Sequence, residues 1–224
     1  MNAPPALNFD APAPTRYMVI DCETSGLPPK GPQVPADHPT QPWLAHLAMI
    51  FLDHDLNIEG QSDFYVKPDG WRMPDEMLEI NGLTERFLQE HGKPLRYVMD
   101  VYSAAILESR VVVAYNAAFD CRICRGSLRR SGHDDLFEQT RNICLMRAYK
   151  DWRKIFKGYK LADACLYLGV PYERHHRAPA DALAAAGVFR ALRERGAPIP
   201  APEVHYHRDH DAIVARGAAN ASQV

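Results

Sequence analysis

A chain of 224 residues with 46% hydrophobic and 24% charged residues has the balance of an ordinary globular protein, which excludes global disorder and leaves room for one full hydrophobic core. Its longest apolar run, LAMIFL at residues 47–52, is far short of the ~20 residues of a membrane span, and the opening MNAPPALNFD lacks the basic start and apolar core of a secretory signal. No membrane contact is expected, and the cytoplasm is the expected compartment. A net charge of −2 excludes binding of polyanions through bulk charge, so any nucleic-acid contact must be local. Five cysteines are an odd number and too few for a disulfide framework, which fits reduced thiols.

Ten of the eighteen prolines lie within residues 1–42, in two groups flanking something ordered. Between them, residues 16–23 (RYMVIDCE) form an apolar run ending in acid, with apolar residues on both faces, as in a central strand. Residues 44–53 and 60–66 read as a following antiparallel hairpin, with His54 to Asn57 supplying the turn. The period then changes. Residues 74–80 predict a short helix stopped by Gly82, and Thr84 caps a helix running toward Gly92. From Leu95 onward, Val98, Met99, Tyr102, Ala105 and Ile106 recur at helical spacing, which predicts a core-facing helix.

Residues 110–115 (RVVVAY) predict a strand, 118–130 a helix ended by Gly132, and 141–145 a fifth strand. Helices over 146–156, 161–168 and 180–193 complete the expected set. Cys121 and Cys124 form a CxxC, but no second pair follows and they fall inside a predicted helix, so they read as structural rather than as a zinc or redox site. The expected organisation is a flexible N-terminal segment (1–15), one α/β domain (16–196) with a mixed sheet, and a flexible Pro/Ala-rich tail (197–224) whose His205, His207 and His210 are not expected to bind metal.

Three stretches carry chemistry. Asp21 and Glu23 stand at i and i+2 of a strand, so both project from one face and can hold a cation jointly. Twenty-eight acids in 224 residues give roughly three or four such pairs by chance; its position at the end of an apolar strand is what singles this one out, because an unpaired carboxylate there is costly. In VVVAYNAAFD a buried strand stops at Asn116 and enters a helix with Asp120 in its first turn. In HRAPAD Pro179 marks a helix start, Asp181 lies in the first turn, and His176 precedes it. The alanines that follow keep this helix slim, letting it approach a sheet closely.

DCETSGLP, NAAFD and HRAPAD in that order resemble the DEDDh, or DnaQ-like, family of 3′–5′ exonucleases, typified by the proofreading epsilon subunit of bacterial DNA polymerase III; the resemblance spans residues 17–192. It implies an RNase H-like α/β fold, a five-stranded mixed sheet flanked by helices. It further implies Asp21, Glu23, Asp120 and Asp181 as ligands of two divalent cations, Mg²⁺ or Mn²⁺, and His176 as general base. By the same resemblance, Thr24, Gly26, Leu83 and Asn116 contact the 3′ nucleotide. Tyr115 and Asn81 stand where the family often has histidines, and the Pro-rich stretch at 28–42 is longer than in the compact epsilon type.

Oxygen ligands suit Mg²⁺ or Mn²⁺ better than zinc, and two such ions can clamp the attacking and leaving oxygens of a phosphodiester. The expected substrate is a single-stranded or frayed 3′ end of DNA, with RNA as the alternative and an inactive binding module as a third reading. Association with a DNA polymerase and pairing into a homodimer stay open. The basic segment 147–160, with six cations and one acid, reads as a solvated helix face whose aromatic edge, Trp152 and Phe156, is buried.

Overall fold

The computed structural model describes residues 16–29, 35–108, 110–136, 140–172 and 177–202. Five strands form one sheet: β1 (Tyr17–Thr24), β2 (Leu44–Leu52), β3 (Ile58–Tyr65), β4 (Val111–Ala114) and β5 (Asn142–Cys144), in the spatial order β3-β2-β1-β4-β5. β1 pairs antiparallel with β2 and parallel with β4; β2–β3 is antiparallel and β4–β5 parallel. The expected five-stranded mixed sheet is therefore present, with β1 at its centre. The β2–β3 hairpin is closed by Asp53, whose carboxylate accepts the Asp55 and Asn57 amides at 2.9 and 2.8 Å, while Leu56 takes a left-handed φ of 67°. β3 is an edge strand with an exposed outer face.

The helices are α1 (Leu78–Asn81, after a 3₁₀ turn at Asp75–Met77), α2 (Glu85–His91), α3 (Leu95–Leu107), α4 (Ala117–Arg130), α5 (Leu145–Arg153), α6 (Leu161–Leu168) and α7 (Ala178–Glu194). α2 starts as predicted, with the Thr84 hydroxyl accepting the Phe87 N–H. One face of the sheet packs on α3 and α4 through Met18, Ile20, Leu47, Met49, Val98, Tyr102 and Cys124. The other packs on α5, α6 and α7 through Val19, Ile50, Val113, Tyr149, Ala182, Ala185 and Phe189. Ala178, Ala182 and Ala185 are buried, so α7 sits close to the sheet because its contact face is only methyl-deep. The CxxC cysteines are buried in α4 as free thiols.

Two expectations need correction. α5 ends at Arg153 rather than at 156, because Lys154 turns into the left-handed region (φ 53°). In consequence Phe156 is 90% exposed and Trp152 only partly buried, so the aromatic pair does not form a buried edge. The packing also runs past residue 196: Ala197 is buried and Ile199 rests on the α7 side of the core. The remainder of the expected tail, with His205, His207 and His210, lies outside the described residues except for 200–202, as does the N-terminal segment 1–15.

The chain between β1 and β2 is anchored from below by α4. A Cβ on Gly126 would lie 2.2 Å from the Ala36 carbonyl oxygen, so only glycine permits this approach. Four residues on, Arg130 donates to the carbonyls of Pro42, His38 and Gln41 at 2.9–3.0 Å. Among the described residues, no helix is long and apolar enough to cross a membrane.

Candidate active site

The alternation of β1 sets the site. Val19 packs in the α7-side core, so Asp21 and Glu23, at two-residue steps from it, project from that same face. α7 begins after Arg177, whose carbonyl accepts the Asp181 N–H at 3.0 Å, placing Asp181 in the first turn over the end of β1. Asp21, Glu23 and Asp181 each offer a carboxylate oxygen, and these oxygens lie within 4.8 Å of one another. Asp120 reaches the same strand from α4: its Oδ1 accepts the Cys22 N–H at 3.0 Å, and it is 4% exposed. The four acids of the sequence pattern thus meet around one strand end, three as a tight group and Asp120 beside Asp21.

Electrostatics follow from that crowding. Burial, then the neighbouring charges of Asp120 and Asp181, hold the Asp21 carboxyl well above the usual carboxylate range. Glu23 is pushed up to about 9 by burial and by Asp21 and Asp181. Asp120 is raised mainly by burial, and its hydrogen bond from Cys22 works the other way. Carboxyls so placed resist giving up their protons unless a cation neutralises them. Three converging hard oxygens with no sulfur among them suit a divalent ion of the Mg²⁺ or Mn²⁺ kind, so Asp21, Glu23 and Asp181 fit as holders of such an ion.

The softer site residues divide. Thr24 is buried, its hydroxyl donating to the Gly26 carbonyl at 2.5 Å, and the space above Gly26 is open. Asn116 is the exposed residue before α4, so its side chain is available beside the Asp120 turn. Leu83 is instead 7% exposed, packed with Met73, Met77 and Leu88. It is tied to the strand end through Asn81, which accepts the Leu83 N–H at 3.1 Å and donates to the Thr24 carbonyl at 3.2 Å. His176 lies outside the described residues.

Three groups at the site were not legible as such. Tyr172 shares a hydrogen bond with Asp181, and burial followed by the Asp181 charge raises its phenol; nothing in its local sequence announces this. His46 stands opposite Glu23 in the β1–β2 register and pairs with Asp63 at 3.0 Å, a placement that follows only from the hairpin register. The Tyr115 hydroxyl donates to the Tyr159 and Lys160 carbonyls at 2.6 and 3.1 Å, pinning the α5–α6 connection next to Asn116.

The exonuclease family model RNase_T matches residues 18–189. DNA polymerase III PolC-type proteins of Mycoplasmopsis pulmonis and Clostridium perfringens are 26% and 27% identical over 80% and 78% of this chain; the chain spans only 12% and 11% of their lengths. Among solved structures, E. coli exonuclease I in complex with a dT13 oligonucleotide superposes with a TM-score of 0.67 at 18% identity, over 81% of this chain and 41% of that one. A 3′-exonuclease that recognises a histone mRNA stem-loop gives 0.68 at 15% identity, over 84% and 86%. These likenesses carry the fold, which is RNase H-like as expected. With a family model that covers most of its length laid over a strand end where four acids meet, the chain belongs to the exonuclease family, in its DnaQ-like DEDD 3′–5′ group.

Proposed function

We propose that this chain hydrolyses phosphodiesters one nucleotide at a time from 3′ ends of single-stranded or frayed DNA, in proofreading or repair, releasing nucleoside 5′-monophosphates. The observation that carries the reading is the convergence of Asp21, Glu23 and Asp181 within 4.8 Å. Asp21, Glu23, Asp120 and Asp181 would hold two Mg²⁺ or Mn²⁺ ions, which when bound supply positive charge to the attacking and leaving oxygens. Asp120 is held in place for this by the Cys22 amide. His176, through an imidazole nitrogen, takes the proton of the attacking water as its oxygen adds to phosphorus and the 3′-oxygen departs. The open space above Gly26 and the exposed Asn116 support a seat for the terminal nucleotide between the β1 end and α4.

The PolC-type relatives support a polymerase context. An RNA substrate is the second reading, favoured by the likeness to the histone mRNA 3′-exonuclease over nearly the whole of that chain. An inactive binding module would have no need of buried carboxylates held above their usual range. The test is to offer purified protein, with Mg²⁺ or Mn²⁺ and with a chelator as control, 5′-labelled single-stranded DNA and RNA of matched sequence. Metal-dependent stepwise shortening with mononucleotide release is expected on DNA. Faster shortening of RNA would move the substrate assignment, and release from neither would refute the nuclease reading.

A further inference from the structure

A second concave feature lies outside the acidic cluster. Between the start of β2, the chain after β3 and the facing ends of α3 and α4 is a groove of about 440 Å³, its wall including Trp43, Trp71, Lys67, Arg96, Arg130 and Asp69. The indole rings of Trp43 and Trp71 are parallel to within 5°, their centroids 6.0 Å apart. The Arg130 guanidinium lies 4.2 Å over Trp43 and is locked by its three carbonyl bonds, so one cation is built in. Lys67 and Arg96 are exposed. Three cations against one acid, in a chain of net charge −2, make this a local positive site with flat aromatic faces.

Its position relates it to the acids. Ser25 and Trp43 exchange two hydrogen bonds of 2.9 Å, two residues beyond Glu23. At the other side, Arg130 stands ten residues along α4 from Asp120, roughly 15 Å at the helical rise. A strand whose 3′ end lay at the acids would need several further nucleotides to reach it.

We propose that this groove holds single-stranded nucleic acid upstream of the 3′ terminus, its phosphates against Lys67 and Arg96 and a base against the Trp71 face. The proposal rests on the exonuclease reading above and adds to it a distal anchor, so substrates long enough to reach the groove bind better than short ones. Stacking on aromatics with phosphate neutralisation is the usual basis of sequence-tolerant single-strand binding.

The experiment uses the full chain. With chelator present, a fluorescent fifteen-residue oligothymidylate is titrated and Trp fluorescence is followed; with metal, turnover of that strand and of a thymidylate dinucleotide is measured. The Lys67→Ala/Arg96→Ala double variant, altered only at exposed side chains, is expected to bind the long strand roughly tenfold more weakly at low salt. Its slope of log affinity against log salt should fall by about 1.4, the release expected for two single-strand phosphates. Trp71→Ala should lose part of the fluorescence quenching, and dinucleotide turnover should be unchanged in the double variant. Unchanged affinity and slope would overturn the anchor, as would an equal loss on the dinucleotide, whose single phosphate linkage is too short to span from the acids to Lys67 and Arg96. If the wild type shows the expected binding but releases no mononucleotide, the groove stands and the nuclease reading falls.

Discussion

Glu23 offers a measurement of the site that needs no substrate. Its carboxyl is raised to about 9 from an ordinary 4.5, so between those limits the native state holds a proton that the unfolded chain has released. The stabilising effect of that proton is complete below about pH 4.5 and is lost progressively as pH rises toward 9. Each pH unit inside the window costs about 1.4 kcal/mol, so from pH 5.5 to 7.5 the chelated protein should lose about 3 kcal/mol. For a fold of this size that lowers Tm by roughly 5–10 °C. Asp21 and Asp181 share the charge, so the loss belongs to the cluster as a unit.

Glu23→Gln removes the proton from the balance while keeping the shape. Its Tm should depend less on pH over the same range and exceed that of the wild type at pH 7.5 in chelator. Adding Mn²⁺ should raise the wild-type Tm at pH 7.5, by about 3 kcal/mol in stability at a hundredfold excess over Kd, and raise that of the variant much less. Thermal melts at both pH values, with and without metal, read all of this. Superimposable wild-type and variant pH profiles in chelator would show that Glu23 is an ordinary solvated acid, and the electrostatic account of the cluster would fail.

Other expectations follow from individual contacts. Asp21→Asn and Asp181→Asn should abolish nucleotide release while leaving circular dichroism unchanged and the chelated Tm equal or higher, since a repulsion is removed; wild-type turnover in either would refute the ligand assignment. His176→Ala should lower turnover strongly near neutral pH yet leave Mn²⁺-induced stabilisation intact, and an unaltered pH–rate profile would remove it as base. Gly126→Ala should destabilise by about 2 kcal/mol or more, because its methyl meets the Ala36 carbonyl and a packed interior yields little; urea unfolding measures this. Tyr115→Phe deletes a hydroxyl bonded to two carbonyls and should cost about 1–2 kcal/mol, with faster amide exchange confined to the α5–α6 connection.

Local rules place each acid on its element, while their grouping into one set comes from the ordered family resemblance. Strand alternation fixes the common side of Asp21 and Glu23, and Pro179 at the start of α7 fixes Asp181 in its first turn. The five-stranded sheet and the Thr84 cap were legible for the same reason. What escaped depends on distant pairing. Tyr172 meets Asp181 nine residues further on, a pairing that no local period predicts, and His46 faces Glu23 only through the β1–β2 register. The end of α5 was misplaced since Lys154 adopts a left-handed turn that lysine does not favour and its sequence does not signal. The packing of Leu83 with Met73 and Met77, at the position that the resemblance sets against the nucleotide, is a matter of tertiary structure that its local sequence does not signal.

The seam between Gly126 and Ala36, with the Arg130 clamp beyond it, has a consequence for how β2 is placed. The Pro-rich excursion leaves β1 after Gly26 and is gripped again from Ala36 to Pro42 before β2 begins. With Ala36 to Pro42 held on α4, the start of β2 is positioned by that grip, and with it the register that sets His46 against Glu23. α4 is thus the jig from which β2 takes its place beside the acids.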